Sequence, residues 1–332
     1  MLKICFITDG GGAYGLGHVQ QSTTFAQELV KVAKINFITK SDSTIVRLIN
    51  KCGFIVFQAK NDEQIYLSLA TQDPDIIIFD KIDVSEQLVR SLRESLKAKI
   101  VIFTNLSGAN KYADIAVLAD IGSSFENQHV LDRETGTRCF YGPKYWVLRP
   151  EFHAPLKRMK ARHGTIRRIL LIFGGSDPSN LTLKALHQML KLDPSYKTDI
   201  ILGASYPHLS ELEKTLLQHP SRCGAVTVYK NIANVGEIMH QADVVVASPG
   251  LSAFEALRVG TPIIVIPHDD LQADTYRGFF KMLEREKLSE LGDMLRKGDF
   301  TYPDDEKIVR MEIGDGLSEL KECILGLPTT GL

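Results

Sequence analysis

The feature that most constrains the fold is an alternation of short apolar runs with longer amphipathic stretches, which the chain repeats along most of its length. The runs are rich in Ile, Val and Phe, which is typical of strands buried on both faces of a parallel sheet. In the first half, strands are predicted at Ile4–Thr8, Lys34–Ile38, Ile76–Phe79 and Ile100–Phe103. Helices are predicted between them at His18–Lys31, Ser43–Cys52 and Ser85–Lys97. This pattern predicts right-handed βαβ units and a doubly wound α/β domain.

The same alternation begins again after a change of composition near residue 150. Residues 149–168 include a basic run, which is typical of a solvated linker. Strands are then predicted at Ile169–Phe173, Asp199–Leu202, Ala225–Val228, Val244–Ala247 and Ile263–Ile266. Helices are predicted at Leu181–Lys191, Leu209–Gln218, Val235–Gln241 and Ser252–Val259, with a terminal helix near Leu317–Leu325. We therefore expect two Rossmann-like α/β domains, residues 1–150 and residues 151–332.

Composition excludes several classes of protein. The chain has 332 residues, 44% hydrophobic and 24% charged, with a net charge of −1. A charge so close to zero argues against a nucleic-acid partner, and no apolar run approaches the roughly 18–20 residues of a membrane span. The five cysteines form no C-x-x-C pair, which favours a reducing compartment. We expect a cytoplasmic protein without a cofactor, a metal or an integral membrane contact.

Three loops between a predicted strand and the following helix are unusual in composition. They are Asp9–His18, which contains five glycines, Phe173–Thr182 and Ala247–Leu257. Ligands of open parallel sheets bind beyond the carboxyl ends of the strands, where such loops lie. Glycines let backbone N–H groups approach a ligand closely, and a helix N-terminus adds partial positive charge. The combination suits phosphate.

The first loop also satisfies the letters of a dinucleotide-binding pattern, from Gly10 to Gly15. That spacing is weak evidence in so glycine-rich a loop, and Phe37–Lys40 ends the second strand without the acidic residue that would bind a ribose. The G-x-x-x-x-G-K-[ST] motif of P-loop kinases is not in the sequence. The sequence therefore argues against both NAD and a P-loop.

Two histidines and one glutamate are candidates for chemistry. His18 opens a helix after the glycine loop, where an imidazole with an ordinary pKa of about 6.5 either transfers protons or only satisfies local hydrogen bonds. His268 lies between a strand and a helix and could face the same cleft. Glu255 either completes a capping box with Ser252 or accepts hydrogen bonds from a ribose.

Aspartates in three positions invite a metal-binding interpretation. Asp177, Asp269 and Asp270 have the carboxylate oxygens that hard cations prefer. They lie in separate loops, however, with no histidine cluster that converges on them. The sequence therefore favours a site without a metal.

These motifs resemble those of GT-B-fold nucleotide-sugar enzymes, whose two Rossmann-like domains face each other across a cleft. Gly15–His18 looks like the G-x-G-H loop of that group, and Ser248–Leu257 looks like its diphosphate and ribose motif. Within the group, Phe173–Thr182 and Tyr141–Phe152 are most similar to the UDP-2,4-diacetamido-2,4,6-trideoxy-altropyranose hydrolases of pseudaminic acid biosynthesis and to spore-coat polysaccharide proteins. The resemblance covers most of residues 1–275.

The resemblance implies a role for each domain. The second domain would bind the nucleotide of a UDP-sugar, with CMP and TDP as alternatives, through Gly174, Gly175, Ser176, Asn231, Ile232, Ser248, Pro249, Gly250, Leu251, Ser252 and Glu255. The first would supply His18 as the acid or base near the anomeric carbon. Contacts to the sugar are expected from Gly15, Gly17, Asp80, His268, Asp270 and Gln272.

The chain departs from the hydrolase pattern at three places. Thr104-Asn105 replaces Asp-Asp, Lys81-Ile82 stands where a Tyr is usual, and Leu271 replaces the Asn before Gln272. The segment Asp270-x-Gln272 is instead similar to the sugar-contacting segment of the peptidoglycan N-acetylglucosaminyl transferase.

Three functions therefore stay open. One is hydrolysis of a UDP-acetamido sugar to free sugar and UDP in surface-glycan (nonulosonate-type) biosynthesis. Another is inverting transfer of such a sugar to an acceptor, which could be membrane-linked. The third is binding of a nucleotide sugar without catalysis. The first two differ only in the oxygen that attacks the sugar, and fold analogy does not separate them.

Overall fold

The computed structural model describes residues 1–12, 15–119, 126–153, 166–230, 232 and 234–328. Asn231, one of the predicted nucleotide-binding residues, lies outside these described residues, as does most of the basic run. The chain divides into two compact units. Unit 1 comprises Met1–Tyr14, His18–Arg149 and Met311–Leu332, and unit 2 comprises Gly15–Gly17 and Pro150–Arg310.

Unit 1 is built on one eight-stranded sheet. Its strands are β1 Leu2–Thr8, β2 Ala33–Thr39, β3 Ile55–Gln58, β4 Ile76–Asp80, β5 Lys99–Phe103, β6 Ile115–Leu118, β7 Gln128–Leu131 and β8 Arg138–Tyr141. They are arranged in the order β3-β2-β1-β4-β5-β6-β8-β7, and only the β7–β8 pair is antiparallel among the described strands. Every residue of β4 and β6 is buried, because helices cover both faces of a doubly wound sheet.

The strand order reverses direction beside β1. The chain runs outward from β1 to β2 and β3 and then returns to place β4 on the other side of β1, with Thr8 paired with Asp80. The carboxyl ends of β1 and β4 are therefore neighbours, and this is where open α/β sheets bind their ligands.

Helices α1 to α4 connect the strands of unit 1. They are α1 Gly17–Leu29, α2 Ser43–Lys51, α3 Asp62–Gln72 and α4 Glu86–Ser95. The last three begin at side-chain caps that the sequence supplies, since Asp42, Asn61 and Ser85 each accept a backbone N–H of the first turn.

Unit 2 contains a five-stranded sheet in which all pairs are parallel, in the order β11-β10-β9-β12-β13. The strands are β9 Arg168–Ile172, β10 Lys197–Leu202, β11 Val226–Lys230, β12 Val244–Ala247 and β13 Ile263–Val265. The helices are α5 Leu181–Met189, α6 Leu209–Gln218, α7 Val235–Gln241, α8 Leu251–Arg258, α9 Asp270–Thr275, α10 Leu291–Lys297 and α11 Glu306–Val309. The order is again doubly wound, with β9 beside β12.

The C-terminal segment packs in unit 1, whereas the sequence analysis assigns it to the second domain. Its helix, α12 Leu317–Leu325, buries Leu320 and Ile324. The backbone N–H groups of Gly314 and Gly316 donate to carbonyls at residues 143 and 144, at 3.1 and 2.8 Å. The hydroxyl of Tyr145 donates to Glu319 at 3.3 Å. Contacts this distant along the chain leave no periodic signal, so composition does not reveal them.

The predicted α/β class is confirmed, and each predicted strand and helix overlaps an observed one. The prediction missed several elements, among them β3 and β7, because these edge strands leave most of their residues exposed and lack a continuous apolar run. Within the part of the chain that the structure describes, no helix combines the length and apolar character needed to cross a membrane.

Candidate functional site

His18 lies in the first turn of α1, where its imidazole meets the carboxylate that ends β4. Nδ1 of His18 is 2.8 Å from Oδ1 of Asp80, whose residue is only 1% exposed. Gln21 donates from Nε2 to both carboxylate oxygens at 3.2 Å, and the Ser22 hydroxyl donates to Oδ2 at 2.9 Å. Residues three and four positions apart share one helix face, so this face of α1 surrounds a single buried carboxylate.

This arrangement fixes the chemistry of the imidazole. An ionised carboxylate only accepts hydrogen bonds, so the contact with Asp80 favours the tautomer of His18 that carries its proton on Nδ1. The predicted contact between Asp80 and the sugar stays a prediction; in the structure, three side chains of α1 are hydrogen-bonded to the Asp80 carboxylate. The roles of Gln21 and Ser22 were missed, although their spacing from His18 places them on the same face.

A second charged pair lies one residue beyond the ends of β1 and β4. Nζ of Lys81 is 2.6 Å from Oδ2 of Asp9 and 3.2 Å from Oδ1 of Asp83. The other oxygen of Asp9 accepts the Thr39 hydroxyl at 3.1 Å and the backbone N–H of Lys40 at 2.6 Å. Lys81 is 5% exposed, so this ammonium group lies inside unit 1.

Hydrogen bonds outweigh burial for both members of this pair. Burial alone would raise the pKa of Asp9, but the hydrogen bonds and charge of Lys81, with those from Lys40 and Thr39, lower that pKa. Burial would likewise lower the pKa of Lys81, but the carboxylates of Asp9 and Asp83 raise it. The pair is therefore ionised at neutral pH.

The departures at Thr104-Asn105 have a structural consequence. Asn105 is 1% exposed; its Oδ1 accepts the backbone N–H groups of Val84 and Ser107, at 3.1 and 3.2 Å. Its amide nitrogen donates to Ser107 and Asn110. The Asn105 side chain therefore stabilises the loop that follows β5. Thr104, at the carboxyl end of β5, has φ +51°, which is a strained conformation for a β-branched residue.

In unit 2, the loop after β9 carries a carboxylate that caps the N-terminus of the following helix, α5. Asp177 accepts the backbone N–H groups of Leu181 and Thr182 at 2.7 and 2.8 Å, one on each oxygen. It is 2% exposed. The N-terminus of α5 is therefore already occupied by a negative charge, and both oxygens that a metal would need are in use. Among the described residues, no three His, Cys, Asp or Glu side chains form a group that could hold a metal ion.

His268 joins this loop to the end of the sheet. Its Nε2 donates to the carbonyl of Phe173 at 3.2 Å, and its side chain is 10% exposed. Burial lowers the pKa of His268, which leaves the imidazole neutral at pH 7. The expectation that it contacts a sugar stays a prediction, and the structure gives its ring a packing role.

The loop after β12 leads into a helix that no side chain caps. Gly250 is the N-cap residue of α8 and, being glycine, has no side chain that could cap the helix. Its φ is +125°, a conformation that residues with a Cβ rarely adopt. Its carbonyl accepts the N–H groups of Ala253 and Phe254. Since the helix begins at Leu251, Ser252 is not its N-cap, so the capping-box interpretation of Ser252 and Glu255 is wrong.

The helix α8 is held firmly by the core of unit 2. Phe254 is fully buried, with its ring centroid 5.5 to 6.3 Å from those of Tyr276, Phe279 and Phe280. Glu255, on the same helix, is 2% exposed. The first turn of α8 contains no acidic residue that would place a negative charge of the helix itself beside its first backbone N–H groups.

The remaining predicted residues of the sugar-binding segment lie at the start of α9. Asp269 caps this helix by accepting the N–H of Gln272 at 2.8 Å, and the side chain of Gln272 accepts the N–H of His268 at 2.9 Å. Asp270 is exposed, and its carboxylate pairs with Arg285 at 2.6 Å. Leu271 is 61% exposed. The carboxylate of Asp270 is therefore accessible to solvent, while the side-chain oxygen of Gln272 is hydrogen-bonded to the backbone of His268.

The other predicted residues lie in the loops expected for them. Gly174, Gly175 and the buried Ser176 follow β9, Ile232 follows β11 and is half-buried, and Ser248 and Pro249 follow β12. Gly203 lies so close to Gly175 that a Cβ on it would fall 2.2 Å from the Gly175 carbonyl oxygen. The segment Gly15–Gly17 precedes and begins α1. The structure brings together the carboxyl ends of strands within each unit.

Comparison with known proteins identifies this architecture. Residues 169–276 match the glycosyltransferase family 28 C-terminal domain. The crystal structure of MurG from Acinetobacter baumannii superposes with a TM-score of 0.60 at 13% identity, covering 98% of this chain and all of that one. Anabaena HepE in complex with UDP-glucose gives a TM-score of 0.54 at 13% identity, covering 97% and 95%.

The chain has the GT-B fold. The resemblance to GT-B-fold enzymes predicted from the motifs is thus confirmed, and the match to the family 28 C-terminal domain model lies within unit 2. Among relatives by sequence, this GT-B chain is 26% identical to the spore coat polysaccharide biosynthesis protein SpsG of Bacillus subtilis, over 84% of this chain and 81% of SpsG.

A second relative is more similar in sequence and longer. An uncharacterised protein of Methanocaldococcus jannaschii is 36% identical over 331 residues, which is 98% of this chain. The GT-B chain spans 66% of that protein's length, slightly under two thirds.

Proposed function

We propose that this GT-B protein cleaves the bond between UDP and an acetamido sugar, with His18 accepting the proton of the attacking oxygen. The His18–Asp80 pair is the observation that carries the proposal. An imidazole whose Nδ1 is held by a buried carboxylate presents its other nitrogen as a base and is stabilised in the protonated form that then arises.

The nucleotide is assigned to unit 2, at the start of α8. Two of the loops that are candidates for phosphate lie in this unit, before α5 and α8, and α6 also follows a strand of its sheet. Asp177 occupies the start of α5, and Glu211 lies in the first turn of α6. The first turn of α8 has neither, so its N–H groups, at Gly250 to Ser252, suit a diphosphate best. The likeness to a GT-B protein crystallised with UDP-glucose supports a UDP-sugar.

A ribose would then meet the only acidic residue of α8. Glu255 lies one turn beyond the start of the helix, and so farther along it than the phosphate-binding amides. A carboxylate at that position accepts hydrogen bonds from a diol. The partial positive charge of the helix N-terminus also stabilises the negative charge that the departing UDP acquires.

Water is the attacking group in the proposed hydrolysis, and the similarity to the spore coat polysaccharide biosynthesis protein SpsG supports a role in surface-polysaccharide biosynthesis. A hydroxyl group of an acceptor is the second candidate, and the Asn105 side chain favours it. In the hydrolase pattern this position carries an acid, whereas here it carries an amide that is hydrogen-bonded to Val84, Ser107 and Asn110.

The test is to incubate the protein with UDP-linked acetamido sugars in the absence of any acceptor. Steady release of free sugar and UDP supports hydrolysis, and its absence with turnover only on added acceptors supports transfer. His18→Ala should lower turnover by about 100-fold or more while leaving the affinity for UDP within about twofold. Asp80→Asn should also lower turnover, because it leaves the imidazole in the wrong tautomer.

The matched control is His187→Ala, which removes an exposed imidazole on α5. Its turnover should equal that of the unchanged protein. If His18→Ala retains full turnover, the catalytic assignment is wrong. If no nucleoside diphosphate or nucleotide sugar raises the melting temperature of the protein, the binding assignment is wrong as well.

A further inference from the structure

We propose that the buried ion pair of Asp9 and Lys81 positions His18, by fixing the point at which the glycine-rich segment leaves β1. The inference rests on the proposed function, because it gives His18 a catalytic task. Neither residue of the pair is assigned a contact with substrate. Both are positioning residues.

Both ends of the segment between β1 and His18 are bonded to residues at the end of β4. At its start, Asp9 is bonded to Lys81, and at its end His18 is bonded to Asp80. Asp80 is the last residue of β4 and Lys81 follows it directly. One dipeptide therefore reaches both ends of the segment.

The start of the segment has further attachments on its other side. Asp9 accepts hydrogen bonds from Thr39 and from the backbone of Lys40, and the N–H of Gly10 donates to Ser41 at 2.8 Å. The departure point of the segment is thus connected both to the end of β2 and, through Lys81, to the end of β4. The start of the segment is therefore held at the ends of three strands, β1, β2 and β4.

Such fixing matters because the sequence of the segment is rich in glycine. Five of the residues from Asp9 to Gly17 are glycines, and Gly11, Gly12 and Gly15 have positive φ. Glycine has the greatest backbone freedom of any residue, so the position of His18 depends on the two attached ends. Displacing a catalytic group by about 1 Å can lower turnover by as much as about 100-fold.

A charged pair suits positioning better than stabilisation. Replacing a buried ion pair with apolar residues often leaves stability unchanged, whereas removing one partner leaves an uncompensated charge. Lys81 also reaches Asp83, so the ammonium group is held from two sides and its direction is defined. We therefore expect the pair to affect turnover more than folding.

The experiment compares Lys81→Met with the double variant Asp9→Asn/Lys81→Met. Lys81→Met should lower kcat by on the order of tenfold with KM for the UDP-sugar unchanged, because nucleotide binding is assigned to unit 2. The double variant removes both charges and should recover the melting temperature of the unchanged protein, but its kcat should stay low. The imidazole resonances of His18 in an ¹⁵N NMR spectrum should shift or broaden in both variants.

Lys99→Met provides the matched control in the same unit. Lys99 pairs with Asp114 at 3.2 Å, and the Asp114 side chain is 11% exposed, as is that of Asp9. Asp114 also accepts a backbone N–H, from Ile100 at 2.9 Å. This pair lies at the opposite, amino end of β5, so Lys99→Met should leave kcat and the His18 resonances unchanged.

Two results would overturn the inference. One is a double variant whose kcat recovers together with its melting temperature, because the pair would then be structural only. The other is a His18 spectrum in Lys81→Met that is identical to the original. If instead the unchanged protein turns over no UDP-sugar, the proposed function fails, and the spectrum of His18 still decides whether the pair positions the imidazole.

Discussion

The starts of α5 and α8 look alike in sequence and differ in the structure. Each helix follows a central strand of unit 2 through a short loop that contains glycine and serine. At α5, the carboxylate of Asp177 accepts two of the first backbone N–H groups. At α8, Gly250 provides no side chain and no acid follows in the first turn.

This difference shows that a glycine-containing loop before a helix is not by itself a phosphate site. The N-terminus of a helix attracts one negative group, and the protein can supply that group itself. At α5 it does so and gains a stable helix start. At α8 the N-cap residue supplies no such group, and the start of this helix is where we propose that the diphosphate binds; the buried Phe254 packs the helix against the core.

The largest expected effect comes from giving α8 the negative charge that α5 already has. Ser252→Asp places a carboxylate at the second position of the helix, close to where the diphosphate is proposed. The affinity for UDP should fall by about 100-fold, since two like charges about 4 Å apart repel by a few kcal/mol near a protein surface. Isothermal titration with UDP measures this loss.

Two controls accompany Ser252→Asp. Ser252→Asn has nearly the same shape without the charge and should keep the affinity for UDP within about threefold. Ser210→Asp places the same acid at the second position of α6, another helix without a side-chain cap, and should not change the affinity. Unchanged UDP affinity in Ser252→Asp would refute the assignment of the diphosphate to α8.

The reverse change, Asp177→Ala, removes the cap of α5 and should act on stability alone. We expect a loss of about 1–2 kcal/mol in the free energy of unfolding, because two buried N–H groups lose their acceptor. Chemical denaturation measures that loss. The affinity for UDP should change less than twofold when measured at a temperature at which the variant is folded, and a loss as large as that of Ser252→Asp would show that both helix starts bind the nucleotide.

The smallest effect is expected from the imidazole that holds the α5 loop to the sheet. Burial lowers the pKa of His268 in the folded state, so the unfolded chain binds its proton first as the pH falls below about 6.5. The stability contributed by the neutral ring is therefore present above that pH and is lost on acidification. His268→Gln should reduce the fall in melting temperature between about pH 7 and about pH 5.

The control for this pH dependence is His187→Gln, at an exposed position on α5. It should leave the pH dependence of the melting temperature as it is. An identical pH dependence in His268→Gln and in the unchanged protein would show that the ring next to Phe173 does not contribute.

Much of the fold follows from local sequence pattern. The runs Ile76–Phe79 and Val244–Ala247 predict buried parallel strands because both faces of such strands are covered, and the structure places β4 and β12 there. The pattern did not predict the exposed edge strands β3 and β7. It also identified the loops after β1, β9 and β12, since glycine between a strand and a helix is visible in any sequence.

The partners within the candidate site were decided by tertiary structure alone. His18 meets Asp80 across 62 positions of sequence, and Lys81 meets Asp9 across 72, because the strand order sets β1 beside β4. A local pattern reports which face of an element is apolar, but it holds no information about which elements become neighbours. For the same reason, the loops before α5 and α8 look alike in the sequence, and only the folded chain shows that Asp177 accepts hydrogen bonds from the amides of α5 while the N-cap residue of α8, Gly250, provides no side-chain cap.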